Sequence, residues 1–312
     1  MPYWGIYLKS LSFNALQIGA LLSLFQISRI FAPNVLGWVA DQSGEYIKWI
    51  KISSFFGFII FMGIFWSNTF VNIFVVMMAM SIFTSSTLPL AESLTLAHLK
   101  ANKADSKYSH IRLWGSIGFI VAALSLGVMI DSYGERSLIY ALLITQLVIF
   151  FLAFILPEKK INFTKFNKRS IWPILKKREV IVLLLSCALM VSSHGLLYNF
   201  YSIFLEDQGY SGATIGLLWS VGVVFEILIF LLMPKILSKF TLKSVLLISI
   251  AFAVLRFFLI GAYVDSILIL IAAQIMHAAT FGSFHVASIQ LIAHFFYNEH
   301  QARGQSCLLY TS

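Results

Sequence analysis

Long apolar runs alternate with short polar segments along most of this chain. A helix that crosses a bilayer needs about 20 predominantly apolar residues, and the runs are of this kind. They cover residues 17–39, 50–66, 70–96, 112–130, 137–156, 180–205, 213–234, 244–262 and 267–296. The pattern therefore predicts an all-α, polytopic membrane protein that folds as a bundle of helices.

Both ends of the chain interrupt this pattern. The first residues, MPYWGIYLKS, look like the end of a helix, and the chain stops soon after the run that ends at residue 296. We therefore expect a fragment of a longer bundle, truncated at both ends.

The composition agrees with a membrane protein. Of the 312 residues, 59% are hydrophobic and only 11% are charged, whereas a soluble domain is about a quarter charged. The mean hydropathy of +0.87 points the same way. These values argue against an ordinary soluble domain.

The positions of the positive charges predict the topology. Of the 22 Lys and Arg residues, 18 lie in alternate polar segments, namely 40–51, 97–112, 157–179, 235–243 and 297–303. Lys and Arg collect on the cytoplasmic side of membrane proteins, so these segments are expected in the cytoplasm. The net charge of +9 is then a topology signal, and we expect no nucleic-acid partner.

The longest polar stretch predicts the organisation of the chain. PEKKINFTKFNKRSIWPILKKRE, residues 157–179, is interpreted as a cytoplasmic linker between an N-terminal bundle, 1–156, and a C-terminal bundle, 180–312. A solvated tether is the simpler interpretation of its charges, and binding to anionic lipid headgroups is the alternative.

An internal repeat supports two related halves. IYLKSLSFNALQIGALLS, residues 6–23, aligns without gaps on IFLEDQGYSGATIGLLWS, residues 203–220, at an offset of 197. The same offset pairs Arg29 with Glu226, two charges of opposite sign. Chance similarity between apolar helices is the competing explanation.

Ionisable residues inside the apolar runs are the first candidates for function. Five stand out: Arg29, Glu92, Arg112, Glu226 and Arg256. A charge at bilayer depth costs at least about 2.5–3.5 kcal/mol, so such residues normally face a bundle interior or an aqueous path. Mutual neutralisation by ion pairs that lock helices together is the structural alternative.

Helical spacing groups these charges with other side chains. Glu226 shares a helix face with Gly216, Trp219 and Gly222, which suits a cavity wall or a close helix contact at glycine. Arg112 shares a face with Ser116 and Phe119, where its planar fork could bind a carboxylate or extend to the membrane surface.

A polar stripe marks the last apolar run. One arc, roughly 100° wide on an α-helix, carries Gln274, His277, Phe281, Phe284, His285 and Ser288. Two histidines on one stripe could relay protons, whereas a single intramembrane histidine is more often a packing residue. His194 in SSHGLLYNFY is equally ambiguous.

The sequence gives little support for a metal site or for enzymatic activity. Neither Cys187 nor Cys307 belongs to a CxxC pair, and the sequence contains no evident nucleophile–base or metal-ligand constellation. We therefore expect no metal, no cofactor and no enzymatic activity.

Three motifs resemble the major facilitator superfamily: GWVADQSG at 37–44, PLAE at 89–92 and RLWGSIGF at 112–119. The resemblance implies two pseudo-symmetric helix bundles. It also implies that Gly37, Asp41 and Gly44 belong to the superfamily's cytoplasmic gating loop. It covers residues 2 to about 305, so we expect residues 306–312 to be unrelated sequence.

Within the superfamily, the chain is most similar to the 3-phenylpropionate transporter-like proton symporters. A more distant similarity to lactose permease places its sugar-site glutamate and partner arginine on Glu92 and Arg112, and its coupling pair on Arg256 and His277. Its proton-carrying glutamate would fall near Thr280, so a carrier here must lie elsewhere. Glu226 and Glu92 are the leading candidates, and His277 is the third.

The resemblance implies a multi-pass secondary transporter of the bacterial inner membrane, a monomer surrounded by lipid that couples a small organic acid to protons. An excess of one arginine over the intramembrane acids also favours an anionic substrate. The predicted substrate-binding residues are Arg29, Glu92, Arg112, Ser116, Phe119 and Trp219, and those for proton coupling are Glu226, Arg256 and His277. A sugar or nucleoside symporter is the alternative, and a non-transporting sensor or scaffold is the alternative of another class.

Overall fold

A computed structural model describes residues 2–102, 108–157 and 172–296, with the side chains of Asp41, Ala97, Lys100, Ala101, Ser109, Arg112 and Trp172 outside the described part. Within these ranges the chain forms helices joined by short turns. The helices are α1 Trp4–Ser10, α2 Ala15–Ser43, α3 Tyr46–Met62, α4 Phe70–Ala101, α5 Tyr108–Tyr133, α6 Ser137–Ile155, α7 Trp172–Leu175, α8 Arg178–Asp207, α9 Gly212–Leu237, α10 Leu242–Ala262, α11 Ile267–Ile275 and α12 Phe284–Phe295. A 3₁₀ turn, Gly63–Trp66, follows α3, and a π-helical segment, Ala278–Ser283, separates α11 from α12.

The predicted apolar runs are confirmed as membrane helices. The described chain contains 9 stretches that are long and apolar enough to cross a bilayer, and each coincides with one predicted run. Large apolar side chains on their outer surfaces are exposed, for example Leu231 at 72% and Leu268 at 75%. Such surfaces suit contact with lipid, since a membrane helix satisfies its backbone polar groups internally.

The helix ends extend beyond the apolar runs. The predicted loop 40–51 is in fact a tight turn, because α2 continues to Ser43 and α3 begins at Tyr46. Gly37 and Asp41 therefore lie within α2 rather than in a loop. Gly44 ends α2 in a left-handed conformation, with φ at 68°, and its N–H donates to the Ala40 carbonyl. Hydropathy could not locate this end, because the cap depends on backbone geometry.

The repeat of 197 residues is visible in the local structure. Helix α1 ends at Ser10 and α8 at Asp207, while α2 begins at Ala15 and α9 at Gly212. Both pairs of boundaries are separated by the predicted offset, so the turn between α1 and α2 corresponds to the turn between α8 and α9.

The two turns also share their hydrogen bonds. Asn14 and Ser211 occupy the N-cap of α2 and α9, and each side-chain oxygen accepts the backbone N–H three residues on, at 2.9 and 3.2 Å. Ser12 and Gly209 occupy matching positions with positive φ, 63° and 84°. These matches confirm the alignment of the two segments.

The helices pack into two units. The C-terminal unit comprises the described residues within Met1–Pro2, Ser116–Val128 and Phe166–Ser312, and the N-terminal unit those within Tyr3–Gly115 and Met129–Lys165. In the N-terminal unit, α4 packs against α2 and α3, and α3 packs against α6. The predicted linker lies largely outside the described residues, and so do residues 306–312, so these assignments stay predictions.

Each unit has an apolar core. In the N-terminal unit it is formed by Ala40, Tyr46, Ile47, Ile50, Leu90, Leu94 and Ala153. In the C-terminal unit, α9 packs against α11 and the π-helical segment, while α10 packs against α12. The buried core there includes Val180, Leu183, Cys187, Met190, Met233, Val245, Phe284 and Ile292.

We expect Gly209→Ala to lower the melting temperature in detergent and Ser12→Gly to raise it. A residue with a Cβ pays about 1–2 kcal/mol in the left-handed region, and the space around a Cβ on Gly209 is open, so strain alone should act. Gly195→Ala is the matched control, because Gly195 is helical and equally uncrowded. An unchanged melting temperature for Gly209→Ala would contradict the turn geometry.

Candidate functional site

The deepest charge among the described residues of the C-terminal unit is Arg256. Its side chain is 0% exposed, and it lies in the apolar sequence VLRFF of α10. The Thr241 hydroxyl caps this helix by accepting the N–H of Ser244 at 3.1 Å. A buried guanidinium is stable only where acceptors surround it, so its partners define the polar site.

One side of the guanidinium is anchored. Arg256 Nε donates to the carbonyl oxygen of Ala273 at 2.9 Å, and Nη2 donates to Oε1 of Gln274 at 3.1 Å. Both acceptors lie on α11, so these bonds join α10 to α11 and hold the guanidinium plane.

The other side faces three acceptors. Arg256 Nη1 lies 3.1 Å from Nδ1 of His277, 3.4 Å from Nε2 of His194 and 3.4 Å from Oγ1 of Thr280. A guanidinium nitrogen of this type carries two hydrogens. Three acceptors therefore compete for two donors at Nη1.

Hydrogen bonding determines the tautomer of each histidine. His194 Nδ1 lies 2.9 Å from the carbonyl oxygen of Met190, which can only accept, so Nδ1 carries the proton. His194 Nε2 then presents a lone pair to Arg256. His277 Nδ1 accepts from Arg256, so the proton of His277 lies on Nε2. Both imidazoles are therefore neutral in this arrangement.

Glu226 lies on the far side of His277. Its Oε2 is 3.7 Å from Nε2 of His277, and its side chain is 20% exposed. The imidazole thus stands between a carboxylate on α9 and a guanidinium on α10. The sequence predicted these three residues together as the proton-coupling group, and the structure places them in one cluster.

The π-helical segment and two glycines bring these helices close. A Cβ on Gly222 of α9 would lie 3.1 Å from Oε1 of Gln274 and 3.5 Å from Cδ2 of His277. A Cβ on Gly282 would lie 2.5 Å from Cγ2 of Ile229. The predicted close contact at glycine is therefore confirmed at Gly222, and Gly282 provides a second one.

Aromatic rings lie beside the polar cluster. Tyr198 stacks on Trp219 with ring centroids 5.9 Å apart and meets His277 edge-on at 6.1 Å. Phe281 stacks on His277 at 5.3 Å. The Trp219 indole is 7% exposed and donates to Ser202 Oγ at 3.0 Å, so α8 fixes its orientation.

The predicted polar stripe is only partly correct. Gln274, His277, Phe284 and Ser288 are buried, but His285 is exposed and stacks on Phe281 at 5.9 Å. The π-helical segment explains the departure, because its wider turns change the rotation per residue that the α-helical arc assumed. The histidine that approaches His277 is His194, with ring centroids 5.9 Å apart.

Several predicted substrate residues lie on the N-terminal unit or on α5. Arg29 is exposed, and its Nη1 donates to Oε1 of Gln26 at 3.2 Å. Glu92 on α4 is half-buried, and Arg112 on α5 has a side chain outside the described part.

The other predicted substrate residues belong to the C-terminal unit. Ser116 is half-buried, and Phe119 meets Trp219 edge-on with ring centroids 6.4 Å apart. Their roles in binding, and the gating role of 37–44, stay predictions.

Sequence reasoning missed part of the cluster. The sequence leaves the role of His194 ambiguous and does not single out Tyr198. It marks Thr280 only as the position where the lactose permease pattern would place a glutamate. The available signal was spacing on α8, where residues 194, 198 and 202 follow at steps of four and share one face. In the described ranges, no three His, Cys, Asp or Glu residues are grouped as a metal site.

Comparison with known proteins agrees with the helical architecture. A model of the MFS_1 like family matches residues 1–312. The chain is 28% identical over 299 residues to the probable 3-phenylpropionic acid transporter of Escherichia coli (strain K12), covering 94% of this chain and 77% of that protein. It is 26% identical over 315 residues to the nucleoside permease NupG of the same organism, covering 91% and 74%.

Solved structures show the same fold. The crystal structure of the nucleoside transporter NupG superposes with a TM-score of 0.84 at 22% identity, covering 99% of this chain and 82% of that one. The inward open conformation of the xylose transporter XylE from E. coli gives a TM-score of 0.68 at 13% identity, covering 96% and 77%.

We expect Gly282→Ala to destabilise the C-terminal unit by about 1–3 kcal/mol, the usual effect of overpacking. The added methyl would collide with Cγ2 of Ile229, so Gly282→Ala/Ile229→Ala should regain much of the loss. Gly261→Ala is the control, because its Cβ would meet open space. Thermal unfolding in detergent measures the series, and equal melting temperatures for both single alanine variants would contradict the close contact.

Proposed function

This chain belongs to the MFS_1 like family, and on that premise we propose that it carries a small aromatic acid across the membrane together with a proton. It is a multi-pass membrane protein and a secondary transporter of the major facilitator superfamily, with a small-molecule substrate. The proton, the acid and the residue roles are the proposal. Transport would proceed by alternating access, as in other transporters built from repeated helix bundles.

The arrangement of Glu226, His277 and Arg256 carries the proposal of proton coupling. Glu226 is an intramembrane carboxylate that remains 20% exposed, so a proton can reach it. It faces a neutral imidazole whose other nitrogen is bound to a buried guanidinium. Gain or loss of a proton at Glu226 changes the charge balance of this cluster, which is the property that a proton carrier needs.

Charge and aromatic surface support an organic acid as substrate. Three intramembrane arginines, Arg29, Arg112 and Arg256, exceed two intramembrane acids, Glu92 and Glu226. An unmatched guanidinium favours a carboxylate, which it can bind through two parallel hydrogen bonds. The predicted binding group is Arg29, Glu92, Arg112, Ser116, Phe119 and Trp219.

Aromatic side chains offer a surface for a ring. Phe281, Tyr198 and Trp219 lie beside the Glu226 cluster, and Phe119 touches Trp219. The relative described as a probable 3-phenylpropionic acid transporter supports an aromatic acid. The nucleoside permease supports the runner-up, a nucleoside or sugar, because a base also stacks on aromatic rings.

We propose that the protein acts as a monomeric transporter surrounded by lipid and not as an enzyme. A sensor or scaffold on the same fold would bind ligand without moving it. The two classes differ in flux, so a transport measurement separates them.

We expect the full-length protein in proteoliposomes to accumulate 3-phenylpropionate when the outside is made more acidic than the inside. A nucleoside such as uridine, offered at the same concentration, should accumulate less. Collapse of the gradient with a protonophore is the control, and it should return uptake to the passive level. Binding of the acid without gradient-driven accumulation would contradict symport and favour the sensor.

We expect Glu226→Gln to abolish proton-driven accumulation and to retain counterflow exchange. Glutamine preserves the size of the side chain but cannot exchange a proton. Glu179→Gln is the matched control, because Glu179 is exposed in the first turn of α8 and should affect neither rate. Equal loss of accumulation and exchange would instead assign Glu226 a structural role.

A further inference from the structure

The competition for Arg256 Nη1 gives a role to a residue outside the predicted site. Its donors face three acceptors: His277 Nδ1, whose ring also faces Glu226, and His194 Nε2 and Thr280 Oγ1. The shortest of the three contacts, at 3.1 Å, goes to His277. The other two acceptors already lie within 3.4 Å, so a small shift of Nη1 exchanges its partners.

We propose that His194 is a positioning residue of the coupling cluster, the acceptor that holds Arg256 after Glu226 takes up a proton. The inference rests on the proposed proton symport. While Glu226 is charged, one of the two Nη1 hydrogens binds His277 Nδ1. While Glu226 is neutral, the two hydrogens bind His194 Nε2 and Thr280 Oγ1.

The charge on Glu226 controls the exchange. The carboxylate attracts the Nε2–H of His277, which leaves Nδ1 as the acceptor for Arg256 and strengthens that bond through the ring. A proton on Glu226 removes this attraction, and the bond from Nη1 to His277 weakens. The guanidinium is fully buried, so its donor must then find another acceptor.

His194 is prepared as that acceptor. Its Nδ1–H donates to the Met190 carbonyl on the same helix, which directs the Nε2 lone pair to Arg256. The Thr280 hydroxyl lies 3.2 Å from both His194 Nε2 and the His277 carbonyl oxygen, so its one proton can also serve either acceptor. Arg256 Nε and Nη2 stay bound to α11 throughout.

The protons balance within this scheme. One proton enters on the Glu226 carboxyl and leaves from it, Arg256 stays charged, and both histidines stay neutral. Among the described residues, Tyr198 and Tyr201 on α8 are further titratable groups that act on the cluster. No proton passes through His194, which distinguishes this role from a histidine relay.

Two amide variants separate an acceptor from a proton carrier. His194→Gln places an amide oxygen near the position of Nε2, whereas His194→Asn places it near Nδ1, away from Arg256. Neither amide titrates near neutral pH. We expect His194→Gln to keep proton-driven accumulation and His194→Asn to lower it by about tenfold or more, the effect of a lost hydrogen bond to a charged group. Counterflow exchange should persist in both variants.

The opposite results overturn the inference. Equal loss of accumulation in both variants would make His194 a proton carrier. Full accumulation in His194→Asn would remove any coupling role. Parallel loss of accumulation and exchange in His194→Asn would leave a structural role only. Absence of accumulation by the unchanged protein would overturn the proposed symport together with this inference, whereas loss in His194→Gln alone overturns only the inference.

A second pair of variants applies if His194→Asn does not fold. Thr280→Val removes the hydroxyl that shares the donor with His194, while Thr280→Ser retains it. We expect accumulation to fall in Thr280→Val with exchange retained, and to recover in Thr280→Ser. Accumulation at the unchanged level in Thr280→Val would contradict the exchange of partners at Nη1.

Discussion

The arrangement of the C-terminal unit depends on the burial of one guanidinium. Arg256 is 0% exposed on a helix whose neighbours are apolar, and a membrane offers no water to solvate it. Its donors must therefore be satisfied by protein acceptors, and α8, α11 and the π-helical segment supply them. The bonds to Ala273, Gln274, His277, His194 and Thr280 join these elements to α10. Removing the charge would release several acceptors at once, so the cluster couples helix packing to electrostatics.

The irregular backbone at 278–283 belongs to the same constraint. Thr280 is 0% exposed in the π-helical segment, and its hydroxyl approaches both Arg256 and His194. The segment also brings Gly282 against Ile229 of α9, where a side chain would not fit. A π-helical turn is rare and is frequent at functional sites. Here it places a hydroxyl at the guanidinium and a glycine at the closest helix contact.

Much of the fold could be predicted from hydropathy, because a membrane helix must be apolar over its full length. The apolar runs correspond to the described membrane helices, and the offset of 197 residues predicted matching turns at Ser12 and Gly209. Helix ends were less predictable. The cap at Gly44 depends on backbone geometry, so the apolar run that stops at residue 39 ends before α2 does.

The candidate site could be predicted only in part. A charged or polar side chain within an apolar run identified Glu226, Arg256 and His277 as unusual residues. It could not identify His194 as a partner of Arg256, because that contact joins residues 62 positions apart.

The position of the acid is the main departure from the lactose permease pattern. In that pattern the proton-carrying glutamate would fall near Thr280, which in this chain is a hydroxyl bound to Arg256 and His194. Glu226 approaches the same imidazole from α9, on the side opposite to Arg256. A carboxylate beside His277 is thus supplied by another helix, and Thr280 provides an acceptor for the guanidinium. A hydroxyl at position 280 accepts a hydrogen bond from Arg256 without adding a second negative charge to the cluster. The proposed proton site, Glu226, and the guanidinium of Arg256 therefore lie on different helices. The imidazole of His277 lies between them and contacts both.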